Sequence, residues 1–195
     1  TAIPPCDNPR LREAINLALD RKAYIEVVHN GNAEAALYLD TGGWGLAADE
    51  IWQLPGFRQP KDQDIAEARV IMAQEYPDGL RVTLLSRNSG TYPRQAEFFT
   101  GELAKIGIDA TVTLVDRSQL YPTGQALNYQ IMSYYFCLTT GDPDELFGGY
   151  FISSASRNWL GYSNPQIDRM YLEQSTELDL SRRREIVRDM ERIIL

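Results

Sequence analysis

The segment "LRVTLLSRNSGTYPRQAEFFTGELAKIGIDATVTLVD" (residues 80–116) constrains the fold more than any other. Leu80, Val82 and Leu84 alternate with polar neighbours and predict a strand over 80–86. Ala96, Phe99, Leu103 and Ile106 then recur at helical spacing, and Gly107 supplies a stop. Ile108, Ala110, Val112 and Leu114 alternate with Asp109, Thr111 and Thr113, the clearest strand pattern in the chain. Strand, helix and strand at this spacing make a βαβ unit, which implies parallel strands joined by a right-handed crossover.

Elements on either side extend that unit. Downstream, a short helix is expected near 117–126 and a third strand in "YQIMSYYF" (129–136). Upstream, "DNPRLREAINLALDR" offers Asn8 as an N-cap, Pro9 at the first helical position, and Leu11, Ala14, Ile15, Ala18 and Leu19 as one apolar face. Asp20 caps a second helix that stops near Asn30 and Gly31, with His29 in its last turn. A further helix is expected from a cap at Asp62 or Asp64 to the residues before Pro77. Two helices close the chain: one starts at Asn164-Pro165 with Ile167, Met170 and Tyr171 inward. The other starts at Asp179 or Ser181 with Ile186, Val187, Met190 and Ile193 inward. Between 32 and 60 no period is visible, and the stretch reads as an ordered loop whose aromatics Trp44, Trp52 and Phe57 pin it to a core, with contact to a ligand as the alternative. The expectation is one α/β domain over 1–195, without internal repeats.

Composition narrows the chemistry. A net charge of −8 without a basic run excludes a nucleic-acid surface. No window is long and apolar enough to be a membrane helix, and "TAIPPCDNPR" lacks the basic and apolar regions of a secretory signal. With one histidine and two distant cysteines, a Cys/His zinc site lacks ligands, and Cys6 and Cys137 are expected to be ordinary buried or half-buried thiols. A calcium loop from Asp142 fails at Leu146 and Ser153. No phosphate loop, dinucleotide fingerprint or nucleophile elbow is present, so no cofactor and no metal are expected. In "YYFCLTTGDPDELF" the acids Asp142, Asp144 and Glu145 read as the cap and first turn of a helix, with acid catalysis by Asp142 or Asp144 as the rival. Ligands of open α/β sheets gather beyond the carboxyl ends of strands, which makes Phe136, Leu138, Thr139 and Thr140 the candidate ligand surface.

Five stretches, in order, resemble one family: "PPCDNPRLREAINLALDRKAYIEVVHNG", "DIAEARVIMAQEYPDGLRVTLL", "AEFFTGELAKIGIDATVTLVD", "GDPDELF" and "YSNPQIDRMYLEQSTELDLSRRREIVRDMERIIL". Together they are similar to the family 5 extracellular solute-binding proteins, the dipeptide, oligopeptide and nickel receptors of ABC importers. The resemblance implies a periplasmic binding protein type II-like lobe, a βαβ core with a mixed, mostly parallel sheet flanked by helices. It implies that residues 1–195 are the second lobe of a longer two-lobe receptor, whose first lobe and signal peptide lie elsewhere. Its partners would be a small or peptide-like solute and the membrane permease of the importer, its location periplasmic or extracellular, and its action hinge closure without a chemical step. Dipeptide-binding members hold the ligand's ammonium with an Asp shortly before the "GDPD" turn, and Thr139 stands there instead. Arg87, or else Arg94, falls near the place of the arginine that holds the ligand's carboxylate. A small hydrolase and a stand-alone interaction domain remain the rival readings.

Overall fold

A computed structural model describes residues 3–135 and 137–195, so Phe136 lies outside the described residues. In chain order the elements are α1 (Pro9–Ala18), α2 (Arg21–His29), α3 (Ala48–Ile51), α4 (Asp62–Glu75), β1 (Leu80–Arg87), α5 (Tyr92–Ala104) and β2 (Ile108–Val115). There follow α6 (Arg117–Gln125), β3 (Ile131–Met132), α7 (Pro143–Leu146), a π-helical turn at Phe147–Phe151, α8 (Pro165–Thr176) and α9 (Leu180–Ile194). The residues cluster into two compact units, one of 1–33 and 52–134, the other of 34–51 and 135–195.

The first unit is built on the βαβ segment. Its sheet has the order β2-β1-β3, and both pairings are parallel. β1 and β2 run in register from Leu80 opposite Ile108 to Arg87 opposite Val115. Leu84 and Val82 face a core with Leu11 and Ala14 of α1, Ile71 and Met72 of α4, and Leu103 of α5, while Leu85 packs with Leu120 and Tyr129 in a smaller cluster. The α1 cap forms as the sequence predicts, Asn8 Oδ1 accepting from Arg10 N at 2.9 Å. The buried face is turned slightly from the expected one: Leu17 is buried, and Ile15 and Leu19 are only half-buried.

The third strand is much shorter than expected, two residues instead of 129–136. The physical reason is a side chain in the ladder. Gln130 Oε1 accepts from Thr83 N at 2.7 Å, where a longer strand would have offered a backbone carbonyl, and Gln130 Nε2 donates to Pro4 O at 3.2 Å. On the other side of the short pairing, Ser133 N donates to Leu85 O at 2.9 Å.

Neither Asp62 nor Asp64 caps α4; Lys61 occupies the cap position. Asp64 is fully buried and reaches back over the preceding loop. It accepts from Gly56 N at 3.0 Å, Arg58 Nε at 2.5 Å and Lys61 Nζ at 2.7 Å. Gly56 has φ +89°, and a Cβ there would meet Asn16 O at 2.6 Å, so this close approach of loop to α1 requires glycine. Arg21 seals the contact, donating to Gly56 O at 2.7 Å with its guanidinium 4.1 Å from the ring centre of buried Phe57. Burial pulls the Lys61 ammonium below its ordinary value, against the Asp64 contacts that raise it.

The second unit has no sheet among the described residues. Leu146 at the end of α7, with Phe147 and Phe151 of the π-helical turn, packs with Ile167 of α8 and Ile186, Val187 and Met190 of α9. The apolar period of α9 is as predicted, but Glu191 beside it is also fully buried. Its Oε1 accepts from Tyr38 N at 3.2 Å and Leu39 N at 3.0 Å, and its Oε2 from Leu46 N at 3.0 Å. Arg188 Nε adds a bond to Gly45 O at 3.0 Å. The carboxylate thereby organises the first half of the segment 32–60, and burial pushes its pKa above the ordinary value although the three N–H groups oppose the shift. Of the two cysteines, Cys6 is buried as expected, whereas Cys137 is exposed.

Candidate functional site

The loop that leaves the sheet carries the acids the sequence singled out, and each is engaged within the second unit. Asp142 caps α7 through Asp144 N at 2.9 Å, with Pro143 at the first helical position as predicted. It also receives a two-pronged ion pair from Arg183, at 2.7 and 3.0 Å. Burial alone would raise the Asp142 carboxyl, but the bonds from Arg183 and the Asp144 N–H hold it below its ordinary value. Asp144 accepts from Gln174 Nε2 and from Ser175 Oγ. A general acid needs a raised pKa and access to substrate; Asp142 has the opposite shift and both aspartates are tied to neighbours.

Glu145 joins the two threonines. Its Oε2 accepts from Thr139 N at 2.8 Å, Thr140 N at 2.8 Å and Thr140 Oγ1 at 2.9 Å, and its Oε1 from Thr139 Oγ1 at 3.0 Å. The Thr140 and Thr139 N–H groups, with the hydroxyls, bring its pKa down to about 2. Thr139 and Thr140 are exposed, so a carboxylate stands at the surface of the loop although position 139 itself is neutral.

Beside this loop the second unit has a pocket of about 460 Å³. Leu39, Asp40 and Trp44 line it from the loop, Leu138 from the strand exit, and Leu180 and Arg184 from α9. Glu191 and Arg188 hold the loop wall. The Trp44 ring lies 4.7 Å from the guanidinium of Arg183 and 5.7 Å from that of Arg184. Arg183 is fixed by Asp142 and by Gln174, to which its Nε donates at 3.0 Å. Trp44 is therefore stacked on an anchored cation.

In the first unit, three buried polar atoms have no hydrogen-bond partner among the described residues: Arg87 Nε, Gln95 Oε1 and Ser133 Oγ. Arg87 ends β1, Gln95 is in the first turn of α5 and Ser133 follows β3, so the topology puts all three at the carboxyl end of the parallel sheet. The Arg87 guanidinium lies 5.0 Å from the Tyr92 ring centre, and its Nη2 donates to Ser89 Oγ at 3.3 Å. Arg94 is exposed on α5 and makes no hydrogen bond or ion pair among the described residues.

The sequence-predicted residues divide accordingly. Arg87 and Arg94 belong to the first unit, and Leu138, Thr139 and Thr140 to the second, where Glu145 gathers the threonines and Leu138 faces the pocket. Phe136 falls outside the described residues. Sequence reasoning missed Glu145 as the threonines' partner, the pocket residues Leu39, Asp40, Leu180 and Arg184, and the side-chain oxygens of Gln95 and Ser133 at the sheet edge. The aromatic composition of 38–60 was the one signal that pointed toward Trp44.

Three relatives place the chain among known proteins. It is 33% identical over 178 residues to the glutathione-binding protein GsiB of Salmonella choleraesuis, a match covering 84% of this chain and 33% of that protein. It is 27% identical over 177 residues to a probable di/tripeptide-binding protein of Pseudomonas aeruginosa, covering 87% of this chain and 32% of the relative. Thus the chain spans about a third of the length of the curated relatives it matches. The periplasmic binding protein DppA of Helicobacter pylori, solved with the peptide STSA, superposes with a TM-score of 0.82 at 22% identity, over 100% of this chain and 38% of that one. That likeness shows a shared fold, the α/β fold of type II periplasmic binding proteins. The model of the bacterial extracellular solute-binding proteins, family 5 (middle), matches residues 1–158, and the chain belongs to that family.

Proposed function

We propose that this chain is the second lobe of a receptor that captures a peptide-like or other small solute for an ABC importer, in the periplasm or outside the cell. Capture occurs by closure of this lobe with a first lobe elsewhere in the protein, and the loaded receptor docks on the importer's membrane permease. Family membership supports the class, and the named ligands of the relatives, glutathione and di- and tripeptides, support a peptide-like solute.

The observation that carries the reading is the set of unpaired polar atoms at the carboxyl end of the sheet. A buried donor or acceptor left without a partner costs about 1–3 kcal/mol, and in open α/β sheets this edge is where ligands sit. Arg87 Nε, Gln95 Oε1 and Ser133 Oγ are buried groups that a polar ligand reaching this edge would satisfy. Arg87 is proposed to hold a solute carboxylate, with Arg94 as the alternative, and Phe136, Leu138, Thr139 and Thr140 to contribute the strand-exit surface. The hydrolase reading draws no support from Asp142 or Asp144, whose engagement is structural.

The test is a solute screen on the complete receptor by thermal shift, covering di- and tripeptides, glutathione and opines. The expected result is a raised melting temperature with at least one solute, recovered chemically unchanged, and loss of the shift in Arg87→Ala. Turnover of the solute, abolished by Asp142→Ala or Asp144→Ala, would replace the receptor with the enzyme.

A further inference from the structure

The pocket against Trp44 has features that packing within the second unit does not use. Arg184 is exposed, and its one interaction among the described residues is with the Trp44 ring, 5.7 Å away. It forms no ion pair, whereas Arg183 beside it is committed to Asp142 and Gln174. A guanidinium held over an indole, without a counter-ion, beside an apolar floor of Leu39, Leu138 and Leu180 suits a ligand with a flat apolar body and a carboxylate. The wall is organised before any ligand arrives. Three backbone N–H groups bond to buried Glu191, Arg188 holds Gly45, and Arg183 fixes the underside of Trp44. Preorganisation of this kind lowers the ordering cost of binding.

We propose that this pocket is a subsite for an aromatic or bulky aliphatic carboxylate group, with Trp44 and the leucines taking the body and Arg184 the carboxylate. Asp40, on the same lining, sets a limit on charge: a second negative group on the ligand is repelled. The inference rests on the receptor reading for its biological meaning, as the place of one part of the solute. The residues that line the pocket all belong to the second unit.

The experiment uses the complete receptor and three probes of one shape: phenylacetate, benzyl alcohol and phenethylamine. The chain has three tryptophans, and the indole N–H resonance of Trp44, assigned through Trp44→Phe, reports the pocket while Trp52 and Trp159 serve as internal controls. Phenylacetate is expected to shift the Trp44 resonance selectively at millimolar concentration, ahead of the neutral and cationic probes. Arg184→Met keeps the apolar stem, and is expected to weaken phenylacetate about tenfold while leaving benzyl alcohol unchanged, the scale of one charge-assisted bond. The proposal is overturned if phenylacetate leaves the Trp44 resonance unmoved, if phenethylamine binds more tightly, or if Arg184→Met binds phenylacetate as the parent chain does. None of these outcomes bears on the solute screen of the complete receptor, so failure of either reading is recognisable separately.

Discussion

Asp64 in the first unit and Glu191 in the second are both fully buried, and each organises part of the segment 32–60 that shows no sequence period. Asp64 is matched mainly by opposite charge, from Arg58 and Lys61, with one backbone N–H from Gly56. Glu191 is matched mainly by dipoles, the N–H groups of Tyr38, Leu39 and Leu46. An ion-paired carboxylate has partners on flexible stems that are able to turn to water if the acid is removed. Backbone N–H groups inside a packed loop have no such exit. The two halves of one segment should therefore respond differently to loss of their acids.

Glu191→Ala is the most severe test. It strands three buried donors and opens a cavity, at a cost of about 4 kcal/mol. Hydrogen exchange should then show lost protection over 38–46 and retained protection over 56–61; unchanged protection over 38–46 would mean the donors find other partners. Asp64→Ala comes next, at about 3 kcal/mol, the low end for breaking a buried ion pair, because Arg58 retains Glu67 at 2.7 Å and keeps a partly exposed side chain. Here protection should fall over 56–61 alone, and the Lys61 ammonium should move further down once its carboxylate is gone.

The smallest effect separates charge types by pH. The Glu191 carboxyl is raised in the folded state, so the folded form binds the proton more tightly than the unfolded one. Its contribution is full below the ordinary glutamate value and declines as pH rises through the raised folded value. Glu145 has the opposite sign: lowered to about 2 from 4.5, it adds stability as pH rises between those values, and Asp142 acts in the same direction. A melting curve measured against pH should climb on the acid side, and the climb should be shallower in Glu145→Gln. An unchanged acid limb in that variant would show that the threonine donors do not hold the carboxylate in solution.

Legibility in the sequence follows the same contrast. The βαβ unit and the caps at Asn8, Asp20, Asp142, Asn164 and Asp179 were readable because each depends on residues close together in the chain. Asp64 looked like a helix cap because local spacing allowed it, and the close approach of Gly56 is not visible from composition. Glu191 sits within the apolar stripe of α9, where an acid is ordinarily assigned to solvent; only the loop folded against it, some 145 positions earlier, makes it a core residue. The candidate site divides the same way. Thr139 and Thr140 were found from their place after a strand, but Glu145 was assigned only to a helix turn, and Arg184 was invisible until Trp44 was placed beside it.

The Gln130 side chain has a consequence for how the sheet meets other chains. Between Leu80 and Thr83, no strand among the described residues pairs with β1 on the side where β3 later joins it. An open row of backbone donors and acceptors is a template onto which foreign strands add. Gln130 fills one donor position with its own amide and is itself tied to Pro4, so the exposed stretch is plugged by a group that cannot propagate a ladder. The Thr83 donor is thus already taken at the point where the third strand stops short.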